Sequence, residues 1–479
     1  MAKIAIIGAG FAGHTAALYL GDKLGADHDI TVINRSSRFG YVPSWVWVGV
    51  GHMDPEKTMF ELEPVYDKFG IKLVVGSAEE IHPDPEDQYV MVNPKDGHTQ
   101  VRVDYDYLII ATGARLNFEG TPGLGPETGN TWSICTRGHA VQASHHYLEA
   151  VDRLKAGEKQ TFVVGTGHPG ATCQGAAFEY VSNIHKDLVK KGLRDKAEII
   201  YLSNEPQPGD FGVRGVQIFR HGKVFTAAQF IGGILKEFGI VDQTGRGVKE
   251  VQPGKAFWED MDGNEGETAF DFAMLVPQFL GTKFKYIGKN GEDLSDKLMN
   301  AGGFVLVDAI YGLEYEVLEQ TPEAWPAVYQ NRYYRNIFAG GIAFAPPGPI
   351  SRPHVTPTGF KISPAPPRTG MISGVTGRVI ALNVADLVIR GRMTHHERMT
   401  EMVAACIASM GDSLWDGSAA SIVMYPVVPD MRRYPNEGGR DMITTHMEMG
   451  LSGAWMKRML HTTFIHKLQG RIGWQFIPE

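Results

Sequence analysis

The chain has 479 residues, 43% of them hydrophobic and 21% charged, with 57 glycines and a formal net charge of −8. Such a length accommodates roughly two to three domains and a large core, and the glycine content suits an α/β protein rich in tight turns. The acidic balance argues against nucleic-acid binding, which would call for a basic excess, and no apolar run approaches the roughly 20 residues that span a bilayer.

The first predicted strand, Lys3–Ile7, follows Met1 directly, with no basic segment and apolar run before it, so no cleavable signal peptide is expected. The strand enters Gly8-Ala9-Gly10-Phe11-Ala12-Gly13, which opens a helix to about Leu24, and a second strand, Ile30–Ile33, ends at Asn34. A Gly-x-Gly-x-x-Gly turn between a strand and a helix, feeding another strand, marks a dinucleotide-binding unit. Gly8, Gly10 and Gly13, with Phe11 and Ala12 between them, are the pyrophosphate candidates. Asn34 replaces the usual acid at a ribose, and Arg35 beside it admits an NADP reading that ranks below FAD. The aromatic loop Phe39–Gly51, including Pro43 and Ser44, reads equally as the wall of a flavin and as a contact between subdomains. A meander follows, with strands Lys72–Val75, Gln88–Val92 and Val101–Val103 and a turn at Asp96-Gly97. It ends in an apolar strand closing at Ala111-Thr112-Gly113, the second mark of flavoproteins with two dinucleotide-binding domains.

A second finger lies at Gly165-Thr166-Gly167-His168-Pro169-Gly170, and Cys173 stands where the next helix begins. Free N–H groups and the helix dipole favour a thiolate there, so the finger reads as a nucleotide site given over to sulfur chemistry, with a low thiol pKa. Strand Glu198–Leu202, a hairpin at Asp262-Gly263 and a strand ending at Pro277 repeat the plan of the first half. Strand Phe304–Val307 and Arg335–Ile342 return the chain to the first domain. Ala345–Pro367 is an irregular proline-rich stretch, and Thr369–Gly391 is helical. From about Arg392 the character changes. Leu451, Trp455, Met456, Met459, Leu460, Phe464, Ile465 and Leu468 recur at helical spacing. Lys457, Arg458, His461, His466 and Lys467 lie between them, and no acid occurs from Leu451 to Pro478. This reads as a basic amphipathic helix in a membrane interface, extended by Trp474 and Phe476, in preference to a helix docked on its own domain. The expected fold is α/β, with two Rossmann-like dinucleotide-binding domains and a C-terminal amphipathic membrane-attachment region. Its divisions are 1–118 and 300–391 for the FAD-binding domain, 119–299 for the second Rossmann-like domain and 392–479 for the C-terminal region.

The three cysteines, Cys135, Cys173 and Cys406, are far apart and form no Cys-x-x-Cys pair, so neither a zinc site nor a disulfide scaffold is indicated and no metal is expected.

These residues together resemble the sulfide:quinone oxidoreductases over nearly the whole chain. The likeness rests on the N-terminal finger leading to Ile33-Asn34-Arg35, Tyr41-Val42-Pro43 through Val48-Gly49-Val50-Gly51, and Ala111-Thr112-Gly113. It continues in Trp132-Ser133-Ile134-Cys135, Cys173-Gln174-Gly175-Ala176-Ala177-Phe178-Glu179 and Ala404-Ala405-Cys406-Ile407-Ala408. The family has three functional cysteines in these three contexts. The resemblance implies FAD on the first domain, with Thr112, Gly113, Gly341, Ile342 and Arg368 among its neighbours. It also implies a Cys173–Cys406 redox pair, able to hold an extra sulfur, that takes electrons from sulfide to the flavin and on to a quinone. Sulfur would leave as polysulfide. Glu179 is the candidate proton acceptor. Cys135 either attacks sulfide or holds the flavin covalently, and His139 and His168 are weaker candidates. Trp415 and Phe464 are candidate quinone-site residues. A lipid-tailed quinone implies a peripheral, monotopic membrane protein, and a homo-oligomer is compatible with the family. Three departures stand out: Ile342 replaces the Asp usual after Ala-x-Gly, Arg368 replaces a Lys, and the proline-rich insertion has no counterpart. The rival readings are a type II NADH:quinone oxidoreductase, a sulfide:cytochrome c flavoprotein subunit and a non-catalytic sulfur-binding flavoprotein.

Overall fold

The computed structural model describes residues 1–97 and 99–479. Down the chain, the elements that place the site are β1 (Lys3–Ile7), α1 (Phe11–Leu24), β2 (Asp29–Asn34), α2 (Trp45–Gly49), β3 (Ile71–His82), β4 (Tyr89–Pro94), β5 (Val101–Asp104) and β6 (Tyr107–Ile110). There follow α3 (Arg137–Lys155), β7 (Gln160–Thr166), α4 (Gln174–Lys190), β8 (Ala197–Leu202), β9 (Val241–Gln243) and β10 (Phe272–Val276). The last are β11 (Ile337–Ala339), α5 (Gly370–Arg390), β12 (Ala404–Met410), β13 (Ser418–Met424), β14 (His446–Gly450) and α6 (Leu451–Leu468).

Two parallel sheets form the α/β frame. The first runs β11-β6-β1-β2-β3-β4-β5 and becomes antiparallel where the meander β3-β4-β5 begins, with Lys285–Tyr286 added beside β3. The second is a parallel sheet, β9-β8-β7-β10. Its own meander, Arg246–Gln252, Lys255–Asp260 and Glu265–Ala269, forms a separate antiparallel sheet. β1 and β7 are almost wholly buried runs, as strands covered by helices on both faces must be.

Three features differ from the sequence reading. Phe304–Val307 is no strand: Val305 makes only isolated bridges, to Met299 and Phe344. The C-terminal region holds an antiparallel sheet, β12-β13-β14, with α6 packed on it. The small, continuous run Ala404–Met410 lacks the alternation that would have announced a strand. α5 is long and apolar enough to cross a membrane, yet 67% of its apolar window is buried and it lies against α1 as a core helix.

α6 also departs from a simple amphipath. It buries Gly453, Ala454, Lys457, Lys467 and Leu468, and exposes Trp455 (53%) and Met459 (60%). Lys467 is paired with Glu479 at 2.8 Å, so two of the five basic residues assigned to a cationic face lie inside the fold. Trp474, expected at the membrane, is buried edge-on against Tyr19, while Phe476 is exposed. The aromatic loop makes a contact between subdomains. Trp45, Trp47 and Val48 are buried, α2 packs on α3 and α4, and Tyr180 of α4 donates its hydroxyl to Gly49 O at 2.9 Å.

Candidate active site

The first finger is built by main-chain approach. A Cβ on Gly8 would lie 2.4 Å from Ala111 O, and one on Gly13 would lie 1.9 Å from Gly8 O, so the strand end, turn and helix interlock only with glycine at both positions. Gly10 is the opposite case: nothing lies within 4 Å of its missing Cβ, so the turn is open to a ligand. The first helical bond runs from His14 N to Gly10 O, which leaves the N–H groups of Phe11, Ala12 and Gly13 at the positive end of α1, where no acidic side chain sits.

The other sequence candidates gather around this point. Gly341 donates its N–H to Thr376 Oγ1 at 2.9 Å, and its missing Cβ would lie 3.0 Å from Ala12 Cβ. The start of α5 faces the Phe11 ring at Gly370, and the buried Thr369 hydroxyl at its N-cap has no partner. Thr112 and Gly113 are half-buried after β6. Two helix N-termini, an open glycine turn and an orphaned buried hydroxyl fit a flavin dinucleotide with its pyrophosphate at α1. Three side chains are committed elsewhere. Asn34 accepts from Ala9 N at 3.0 Å and donates to Ser36 O at 2.7 Å, bracing the turn against β2. Arg368 donates to Ile342 O and Phe344 O at 2.5 and 2.7 Å and lies over the Phe304 and Phe344 rings. Burial lowers its pKa to about 10. Ser44 bonds His461 Nδ1 of α6 at 2.8 Å, next to the half-buried Pro43, and Arg35 is exposed.

The three thiols converge. Cys173 caps α4 in the left-handed conformation (φ 66°), which is strained for any residue with a side chain. Gly175, two residues on, presents its bare Cα to Cys406: a Cβ there would lie 3.1 Å from Cys406 Sγ. Cys173 lies within electrostatic reach of both Cys406 and Cys135, and all three thiols are free. The expected low pKa is corrected. Burial pushes Cys173 up to about 12 and Cys135 and Cys406 up to about 11, although each residue keeps partial exposure. Desolvation of the sulfur outweighs the helix dipole, and the Cys173 side chain makes no capping hydrogen bond to the free N–H groups of α4.

The second finger is sealed by its own chain. α4 begins at Gln174, seven residues beyond Gly167, the second glycine of its finger, whereas α1 begins directly after Gly10, the second glycine of the first finger. Ser363 N and Ala365 N of the proline-rich segment donate to Pro169 O and Ala171 O at 2.9 and 3.1 Å, and Thr172 donates its hydroxyl to Pro366 O at 3.1 Å. Asn204 at the end of β8 donates to Pro169 O and Ala171 O at 3.0 and 3.1 Å. The following acid, Glu205, is wholly buried. It accepts from Tyr201 OH, Ser203 Oγ and Phe211 N at 2.6, 2.7 and 2.8 Å, and burial raises its pKa to about 7.

Glu179 is buried and bonded on every side: Oε1 accepts from Ser409 N at 3.0 Å and Ser409 Oγ at 2.5 Å, and Lys457 Nζ is 2.9 Å away. Its charge reaches Cys406. Lys457 and Ser409 were missed in the sequence. The small residues Gly453 and Ala454 were the signal that α6 packs by its small face, which carries Lys457 inward. His168 accepts from Gly170 N at 2.9 Å, and His139 keeps a buried Nδ1 without a partner; burial lowers both pKa values. Trp415 is 88% exposed before β13, whereas Phe464 packs partly on the core.

The pattern of the family described as "Pyridine nucleotide-disulphide oxidoreductase" matches residues 2–278. The chain is 28% identical over 441 residues to the sulfide-quinone reductase of Aquifex aeolicus, covering 92% of this chain and 87% of that one. It superposes on the X-ray structure of the sulfide:quinone oxidoreductase from the same organism with a TM-score of 0.77 at 27% identity, covering 98% of this chain and 92% of that one. NDH2 of Plasmodium falciparum, solved in complex with NADH, shares the fold at 12% identity, with a TM-score of 0.64 over 99% of this chain and 97% of that one. The chain belongs to the pyridine nucleotide-disulphide oxidoreductase family, and its full-length likeness within it is to the sulfide:quinone oxidoreductases.

Proposed function

We propose that this protein oxidises sulfide to polysulfide or zero-valent sulfur through a Cys173–Cys406 pair and passes the electrons through FAD to a membrane quinone. The observation that carries the reading is the approach of Cys406 Sγ to the first turn of α4, directly after the Cys173 cap. Bound at the first finger, FAD supplies a two-electron acceptor that a quinone can reoxidise.

The protein's own groups account for the sulfur chemistry. In the oxidised protein, with Cys173 and Cys406 joined as a disulfide, hydrosulfide attacks one of the two sulfurs; one S–S bond forms and one breaks, leaving a persulfide on one cysteine and a thiolate on the other. Because the site disfavours thiolate charge, the released sulfur gains by taking a proton or reacting onward, so it is consumed rather than stored. Glu179, whose charge reaches Cys406, takes the proton-acceptor role. Cys135, in reach of Cys173, is the thiol available to take over the persulfide sulfur by exchange, one S–S bond forming as another breaks, or to carry the flavin. At the other end, the exposed Trp455 and Met459 of α6, with Ile472 and Phe476 beyond it, suit a surface that meets lipid, where a quinone is found. The sealed second finger argues against the NADH alternative. Sulfide-dependent reduction of a short-chain quinone by the purified FAD-loaded protein tests the reading; reduction by NADH and not by sulfide would overturn it.

A further inference from the structure

The C-terminal helix buries a charge against the sulfur site. Lys457 of α6 is 8% exposed and its ammonium lies 2.9 Å from Glu179 of α4. The same carboxylate accepts two bonds from Ser409 of β12, and Asn183 donates to Ser409 O at 2.8 Å and accepts from Gly411 N at 3.0 Å. Three elements therefore close on one ion pair: the helix capped by Cys173, the strand carrying Cys406, and α6 with its exposed Trp455 and Met459. A buried charge is costly unless paired, so neither partner is neutral filler. The two charges pull Cys406 in opposite directions, Glu179 raising its pKa and Lys457 lowering it. Of the other charged and titratable groups here, Cys173 lies within electrostatic reach of Cys406, Tyr41 of the aromatic loop within reach of Glu179, and His461 of α6 within reach of Lys457 and Arg458.

The geometry points to Lys457 as a positioning residue for Cys406, one that reaches in from the C-terminal helix to neutralise Glu179 and so keeps a bare carboxylate from facing the sulfur. The inference rests on the reading of Cys406 as a redox thiol, but its test follows the thiol directly and stands whatever the substrate.

The test is iodoacetamide labelling of the reduced, FAD-loaded full chain as a function of pH, with Cys406 resolved by peptide mass. Lys457→Met is expected to slow Cys406 labelling about three- to tenfold at a fixed pH below the thiol pKa, and Lys457→Arg to keep the wild-type profile. Glu179→Gln is expected to speed labelling, and Lys457→Met/Glu179→Gln to return close to wild type. A folded Lys457→Met whose profile superimposes on wild type overturns the inference. If Lys457→Met fails to fold, Glu179→Gln decides: labelling no faster than wild type overturns it as well. Sulfide-dependent flavin reduction, measured in parallel on the wild type, separates a failure of the proposed function from a failure of this assignment.

Discussion

Cys406 Sγ and the Cα of Gly175 are in such close approach that an added Cβ would stand 3.1 Å from the sulfur. This contact brings a strand from the C-terminal region onto the first turn of a helix more than two hundred residues earlier in the chain, and it gives Gly175 a chemical role.

Gly175→Ala should therefore separate stability from activity. Alanine favours the helix by up to about 1 kcal/mol, and the crowding of the sulfur costs about as much, so thermal stability should stay near wild type. The sulfur must shift by a few tenths of an ångström, and sulfide-dependent turnover should fall about tenfold. Unchanged turnover in a folded variant would contradict the placement of Cys406.

Thiol ionisation fixes a pH dependence. The pKa values of about 11 to 12 lie above the value of about 8.5 of an unfolded cysteine. The folded, reduced protein therefore holds these protons where the unfolded chain has released them. Their contribution to stability is complete below about pH 8.5 and is lost as pH rises toward 11 to 12. Chemical denaturation of the reduced protein should show this alkaline loss, reduced in Cys173→Ser; identical curves would contradict it.

Closure of the second finger predicts a protein blind to nicotinamide dinucleotide. Anaerobic NADH at millimolar level should leave the flavin oxidised, while sulfide bleaches it. Bleaching by NADH would mean that the contacts of Ser363, Ala365 and Asn204 with the finger open in solution.

The exposed side of α6 carries the membrane claim. Trp455→Ser/Met459→Ser should weaken co-sedimentation with lipid vesicles about tenfold or more, given the apolar surface removed. Turnover with a short-chain quinone should stay near wild type. Equal vesicle binding would assign attachment elsewhere.

Much of this was legible in the chain. The first finger announced itself because its strand, turn and helix follow one another without interruption, and β1 and α1 begin where the glycines require. The three cysteines were visible through their contexts. Long-range packing was not. Nothing local to Ala404–Met410 shows that it pairs with β13, and nothing local to Lys457 shows that its ammonium turns inward to Glu179. The second finger shares the glycine spacing of the first, yet the proline-rich segment that closes it lies about two hundred residues downstream. Thiol pKa values were misjudged for the same reason. The helix dipole is read locally, whereas desolvation depends on everything packed around the sulfur.

The most direct test is anaerobic rapid mixing of the FAD-loaded protein with sulfide, following flavin absorbance in wild type, Cys173→Ala and Cys406→Ala. Fast bleaching in the wild type, slowed a hundredfold or more (about 3 kcal/mol) in either single variant, is the predicted result. Bleaching at the wild-type rate when either sulfur is missing would contradict a two-thiol route for sulfide's electrons.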